Sequence, residues 1–108
     1  MTIRIGGVPY GVGAPLLGGF DQDPEIELIL APPTEMIPDL RAGKLDAALL
    51  SSIEAIRHPG YTVADKLGIA CKKEIRSVRA FRKRDRKIRT VGCDQRSATT
   101  VALRPVWL

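Results

Sequence analysis

At 108 residues, 44% of them apolar and 27% charged, the chain is long enough for one small domain and too apolar for intrinsic disorder. The net charge of +5 points toward polyanions, but residues 72–89 hold ten Lys/Arg against Glu74 and Asp85, a local +8 that leaves −3 elsewhere. The centre of that segment, Arg82-Lys83-Arg84-Asp85-Arg86-Lys87, has no aromatic interleaving beyond Phe81 and no groove-reading motif, so no nucleic-acid partner is expected. A solvated connector is the simpler reading of the segment, with attraction of an anionic substrate or loose polyanion binding as the functional readings.

The opening, Met1-Thr2-Ile3-Arg4-Ile5-Gly6, alternates and carries charge, unlike the apolar centre of a secretion signal, and predicts a first strand over 3–8. No apolar stretch approaches the roughly 20 residues that cross a bilayer, so a cytoplasmic protein without a membrane partner is expected. Pro9-Tyr10-Gly11-Val12-Gly13-Ala14-Pro15 is rich in turn formers, and a short helix through Leu16 and Leu17 should stop at Gly18-Gly19. After the acidic loop Asp21-Gln22-Asp23-Pro24, Ile26-Glu27-Leu28-Ile29-Leu30 predicts a second, largely buried strand. Thr34 is placed to cap a helix ending at Arg41 or Ala42, with Met36, Ile37 and Leu40 on its apolar face and Gly43 as a left-handed stop. Pro38 removes one early hydrogen bond, which weakens that helix more than it breaks it.

Leu45-Asp46-Ala47-Ala48-Leu49-Leu50 predicts a third strand, and Ser51-Ser52 opens a helix over 53–57 that His58-Pro59-Gly60 closes. Strands alternating with helices imply βαβ units and a parallel sheet, and right-handed crossovers put the first strand between the second and third. Further strands are expected over 61–64, 69–71, 75–81 and 88–91, then a helix from Ala98 that Pro105 interrupts. Cys71 and Cys93 lack CxxC spacing and the single histidine, His58, sits in a Pro-Gly turn, so no metal site is expected. Buried packing is the reading for both cysteines, and an exposed loop the reading for His58.

In open parallel sheets, ligands bind beyond the carboxyl ends of the strands. Residues 9–15, 51–54 and 94–100 share that address, and the last two put hydroxyls beside helix amino termini, where carboxylate or phosphate is welcome. Helix capping alone explains Ser51 and Ser97 equally well. Gly6-Gly7 and Gly11 to Gly13 match neither of the glycine-rich nucleotide loops.

Taken in order, Ile5-Gly6-Gly7-Val8-Pro9-Tyr10, Pro15-Leu16, Leu40-Arg41-Ala42-Gly43-Lys44-Leu45-Asp46, Leu50-Ser51-Ser52-Ile53-Glu54 and Ser77-Val78-Arg79-Ala80-Phe81 resemble the successive signatures of the chorismate dehydratase family. Asp94, Ser97, Thr99 and Val101-Ala102-Leu103 continue the likeness across essentially the whole chain. The most specific part is the Leu-Asp strand running into Ser-Ser-Ile-Glu. The resemblance implies an α/β fold of the type 2 periplasmic-binding-protein-like kind, of which residues 1–87 form the amino-terminal part of a first lobe and 88–108 the start of a second. It implies a cofactor-free lyase of menaquinone biosynthesis that removes water from chorismate, giving 3-[(1-carboxyvinyl)oxy]benzoate, at the first committed step of the futalosine route. Members are longer than this chain, so the resemblance implies a truncated or inactive version with apolar surface left open to self-association.

Because chorismate carries two carboxylates, the implied substrate-binding residues are Tyr10, Ser51, Ser52, Ser97, Thr99 and Thr100. Its reacting proton is acidified by the ring carboxylate, so no catalytic base is assigned; Glu54 is read first as a structural residue. Two departures stand out. Val12 occupies the position of a family asparagine, and Ala98 that of an arginine. The alternative reading is a small-anion binding module, a solute- or effector-binding lobe without catalysis.

Overall fold

The computed structural model describes residues 1–76, 79–94, 96, 98 and 101–103. Three strands, β1 (Ile3–Gly7), β2 (Ile26–Leu30) and β3 (Ala47–Ala48), alternate with three helices, α1 (Ala14–Leu17), α2 (Pro33–Arg41) and α3 (Ser52–Arg57). Short 3-10 turns at Gly11–Gly13 and Phe20–Gln22 flank α1. The sheet is parallel in the order β2-β1-β3, so the expected placement of the first strand in the middle holds. Ile3 lies opposite Ile26 and Gly7 opposite Leu30 on one side of β1, while Ile5 and Gly6 face Ala47 and Ala48 on the other.

Two adjacent glycines make the centre of this sheet possible. Successive residues of a strand point to opposite faces, so Gly6 and Gly7 strip both faces of β1 of side chains. A Cβ on Gly6 would stand 2.5 Å from the Met36 sulfur and 3.0 Å from Leu45 Cδ1, and one on Gly7 would stand 2.5 Å from Leu17 Cδ1. Helix α2 thus rests on one face and α1 on the other. Met36, only 1% exposed, forms the core with Val8 and Leu45, and Ala31, Leu40, Ala48, Leu49 and Leu50 pack around them.

Helix α2 starts earlier than expected. Pro32 is its cap residue and Pro33 its first residue, whereas Thr34, read as the cap, lies inside the first turn. A proline at the first helical position has the helical φ built in and no N–H to leave unpaired, so the helix begins at the Pro-Pro pair without a side-chain cap hydrogen bond. The far end is as expected. Gly43 adopts φ 73°, its N–H donates to the Leu40 carbonyl, and the Lys44 N–H donates to the Asp39 carbonyl at 2.8 Å. That pair of bonds closes the helix and turns the chain back toward the sheet.

Strand β3 is shorter than the six residues expected. Its ladder narrows to Ala47–Ala48 because Asp46 turns its carboxylate to the Arg4 N–H at 2.8 Å, and Leu49 gives the closing bond to Gly6 O. Arg4 also donates from its side chain to the Gly43 carbonyl at 2.9 Å, tying the start of β1 to the end of α2.

Past α3 the expectations fail in a consistent way. The described residues of 61–64, 69–71, 75–81 and 88–91 form no strand. Apart from half-buried Tyr61 and Cys93, every described residue from 59 to 94 is exposed. Apolar, β-branched composition favours a strand only where a neighbour completes the ladder, and here these segments find none. The cysteines depart for the same reason: Cys71 is exposed and donates to the Glu74 carbonyl, and Cys93 is half-buried. Residues 98 and 101–103 are helical, in line with the expected helix, whose Pro105 lies outside the described residues. Among the described residues no helix is long and apolar enough to cross a membrane.

Replacing Gly6 with alanine should cost about 1–3 kcal/mol, because the new methyl would press on the side chains of Met36 and Leu45, both of them buried. Alanine at Gly11, which has nothing within 4 Å, should be near neutral. Urea unfolding of the two variants side by side measures the difference.

Candidate functional site

The carboxyl ends of β1 and β3 lie side by side, and the loops that leave them form one edge. From β1 the chain passes Val8 and Pro9 to Tyr10, which precedes the 3-10 turn and whose carbonyl accepts from the Gly13 N–H at 3.0 Å. Gly13 is buried. A Cβ there would meet Val8 Cγ2 at 2.5 Å and Leu49 Cδ2 at 3.5 Å, so this turn is seated against the exit of β3. The Tyr10 loop and the Ser51-Ser52 junction are brought to the same rim by that contact.

Ser51 is the cap of α3, its hydroxyl oxygen accepting from the Ile53 N–H at 3.4 Å. Ser52, the first residue of the helix, is exposed, as is Tyr10. The capping role weighed from sequence is therefore present, and the two serines and the tyrosine stand at the strand ends as expected. Ser97, Thr99 and Thr100 lie outside the described residues.

Beneath the serines lies a polar cluster. Glu54, only 4% exposed, receives two parallel hydrogen bonds from Arg41, Nε to Oε1 at 2.9 Å and Nη2 to Oε2 at 3.1 Å. The Tyr61 hydroxyl donates to Oε1 at 3.3 Å. His58 completes the group, its Nε2 3.8 Å from Oε1 and in hydrogen-bond contact with Arg41 Nη2. The histidine read as an exposed loop residue is thus half-buried and engaged. Its turn folds back because the backbone N–H of His58 donates to Glu54 O, which sets the imidazole over the first turn of α3.

The hydrogen bonds from Arg41 hold the Glu54 carboxyl below the ordinary glutamate range; burial opposes them, and the charges of Arg41 and His58 and the Tyr61 hydroxyl add to the lowering. Both carboxylate oxygens are occupied. Arg41 could not be read from the residues as the partner of Glu54, because the two lie 13 residues apart on different helices.

A second ion pair joins Arg96 and Asp94. Arg96 donates through Nε and Nη2 to both oxygens of Asp94, at 3.1 and 3.2 Å, and lowers the acid's pKa. Asp94 in turn favours the charged form of Arg96. A shallow depression among Arg82, Asp85, Arg86, Lys87 and Ile88 lies within the basic connector, away from any strand end. Among the described residues no group of three or more His, Cys, Asp or Glu side chains could hold a metal ion.

An open three-stranded parallel sheet with helices packed on it defines a small α/β protein, with hydroxyl-bearing loops at its strand ends. A family model described as menaquinone biosynthesis matches residues 3–108, and the chain belongs to that family, which is that of the chorismate dehydratases. No curated protein and no solved structure matches the chain. Membership implies a small-molecule substrate and a place in menaquinone biosynthesis.

Linkage gives the Glu54 cluster a pH signature. A carboxyl whose folded pKa lies below its unfolded value adds stability above the ordinary glutamate value of 4.5, and that stability disappears as pH falls through the folded value. Thermal unfolding of the chain should therefore lose a component on acidification below that point. Glu54→Gln should lack this component and start from a lower melting temperature at pH 7.

Proposed function

We propose that this chain forms the amino-terminal wall of a chorismate dehydratase, with residues 1–87 in the first lobe of a type 2 periplasmic-binding-protein-like fold and 88–108 opening the second. The observation that carries the reading is the family match over residues 3–108, together with Tyr10, Ser51 and Ser52 on one rim of the sheet. The outer edges of β2 and β3 pair with nothing among the described residues, and Leu30 is 55% exposed, which supports a first lobe awaiting further strands.

In this reading the rim holds chorismate by its carboxylates. The Ser51, Ser52 and Tyr10 hydroxyls contribute, and the family resemblance adds Ser97, Thr99 and Thr100 to them. The ring C–H next to the enol ether breaks, and its electron pair spreads into the ring carboxylate. Aromatisation then expels the neighbouring hydroxyl. The substrate's own enolpyruvyl carboxylate takes the proton, which leaves with the hydroxyl as water. No protein base is needed, in keeping with a Glu54 whose oxygens are both committed. The protein's part is orientation and stabilisation of developing negative charge.

Val12 and Ala98, where the family carries asparagine and arginine, remove two polar contacts and slow this chain relative to full members. Those two positions favour, as a second reading, a module that binds the anion unchanged. Incubation with chorismate separates them by ultraviolet spectrum. Release of the benzoate product, reduced about 10²-fold in a Ser51→Ala/Ser52→Ala variant, is expected for the enzyme. Saturable binding without product would make the chain a binder, and neither binding nor product would reject both.

The exposed apolar side chains, Leu30, Leu67, Ile75 and a 90% exposed Phe81 among them, give the isolated chain a surface for self-association. Sedimentation velocity over a concentration series should show association; a monomer with sharp two-state unfolding would contradict it.

A further inference from the structure

The cluster around Glu54 joins elements that the chemistry at the rim does not itself touch. Glu54 is the third residue of α3, so its side chain leaves the helix within one turn of the Ser51 hydroxyl. A six-residue helix has almost no stability of its own, and its place is set by what it is tied to. Apolar packing supplies only part of the tie, because Ile53 and Ala55 are half-buried and Ile56 is 73% exposed. The two-pronged bond from Arg41, the Tyr61 hydroxyl and His58 supply the rest.

Arg41 is itself well anchored. It is the last residue of α2, the helix whose Met36 sits on Gly6 and whose end is closed by Gly43 and bound by Arg4. A line of contact therefore runs from β1 through Met36 to α2, across Arg41 to Glu54, and up α3 to Ser51 and Ser52. Tyr10 reaches the same rim directly from β1. Both halves of the rim are thus referenced to one strand.

We propose that Glu54 is a positioning residue. Gripped by Arg41, it fixes Ser51 and Ser52 relative to Tyr10, and it does not touch the substrate. This rests on the function proposed above and names the side chains on which the geometry of that site depends. A guanidinium fork and a carboxylate meet in one plane with two parallel bonds, so the pair sets direction as well as distance. A lysine at position 41 would keep the charge and lose the direction.

The test uses the whole chain with Glu54→Gln, Arg41→Lys and, as a control on the exposed face of β2, Glu27→Gln. Chorismate turnover and amide hydrogen exchange are followed in each. Glu54→Gln should lower kcat/KM at least tenfold while leaving the pH profile of kcat unchanged in shape, whereas loss of a general base would remove its acid limb. Arg41→Lys should fall between wild type and Glu54→Gln, and Glu27→Gln should match wild type. Amides of residues 52–57 should lose protection in Glu54→Gln, while those of β1 keep theirs. Unchanged turnover, or a vanished acid limb, would overturn the proposal. If the unaltered chain neither binds nor turns over chorismate, the function proposed above fails by itself; positioning is then decided by exchange, and unaltered protection over 52–57 in Glu54→Gln overturns it.

Discussion

The close seat of Met36 on Gly6 is the constraint from which the rest of the described fold follows. Without a side chain at position 6, α2 settles against the central strand, and Leu45 and Val8 close over the same point. Among the described residues this is the only place where three apolar side chains are nearly fully buried, so the small core they form has one centre. From that seat the end of α2 is carried to where Arg41 can reach Glu54, and the chain is returned by Gly43 into β3. The rim that bears the serines is a distant product of one missing methyl group.

Much of this was legible in the residues. The alternating stretch read over 3–8 became β1, Ile26 to Leu30 became β2 although it is not the largely buried strand expected, the left-handed stop at Gly43 formed, and the βαβ rhythm predicted the strand order. These succeed because periodicity and glycine geometry act locally. Thr34 misled because a threonine before an apolar helix is a good cap in general, and only the Pro-Pro pair ahead of it decides otherwise. The segments between 61 and 91 misled for a larger reason. Their composition suits strands, but a strand is a relation between two stretches of chain, and the partner cannot be read from the stretch itself.

The site shows the same division. Tyr10, Ser51 and Ser52 could be placed from the rule that parallel sheets present ligands at their carboxyl edge, and Glu54 could be read as structural from its position in a helix. Its partner could not be foreseen. Arg41 stands in a stretch, Leu-Arg-Ala-Gly, that reads as an ordinary helix end, where a cation is expected merely to complement the backbone carbonyls. Only the fold shows that this cation spends both prongs on a buried carboxylate of the next helix, the acid of the Ser-Ser-Ile-Glu stretch.

The spacing of the strand pairs has a bearing on biogenesis. Ile3 pairs with Ile26 and Ile5 with Ala47, so both ladders found among the described residues lie within the first fifty residues. A nascent polypeptide emerges from the ribosome amino terminus first, at a pace of about 5–20 residues each second. The βαβαβ nucleus and its methionine keystone can consolidate over several seconds while the basic stretch is still being translated. Whatever the later residues meet in the cell, they meet it tethered to a sheet that has already formed.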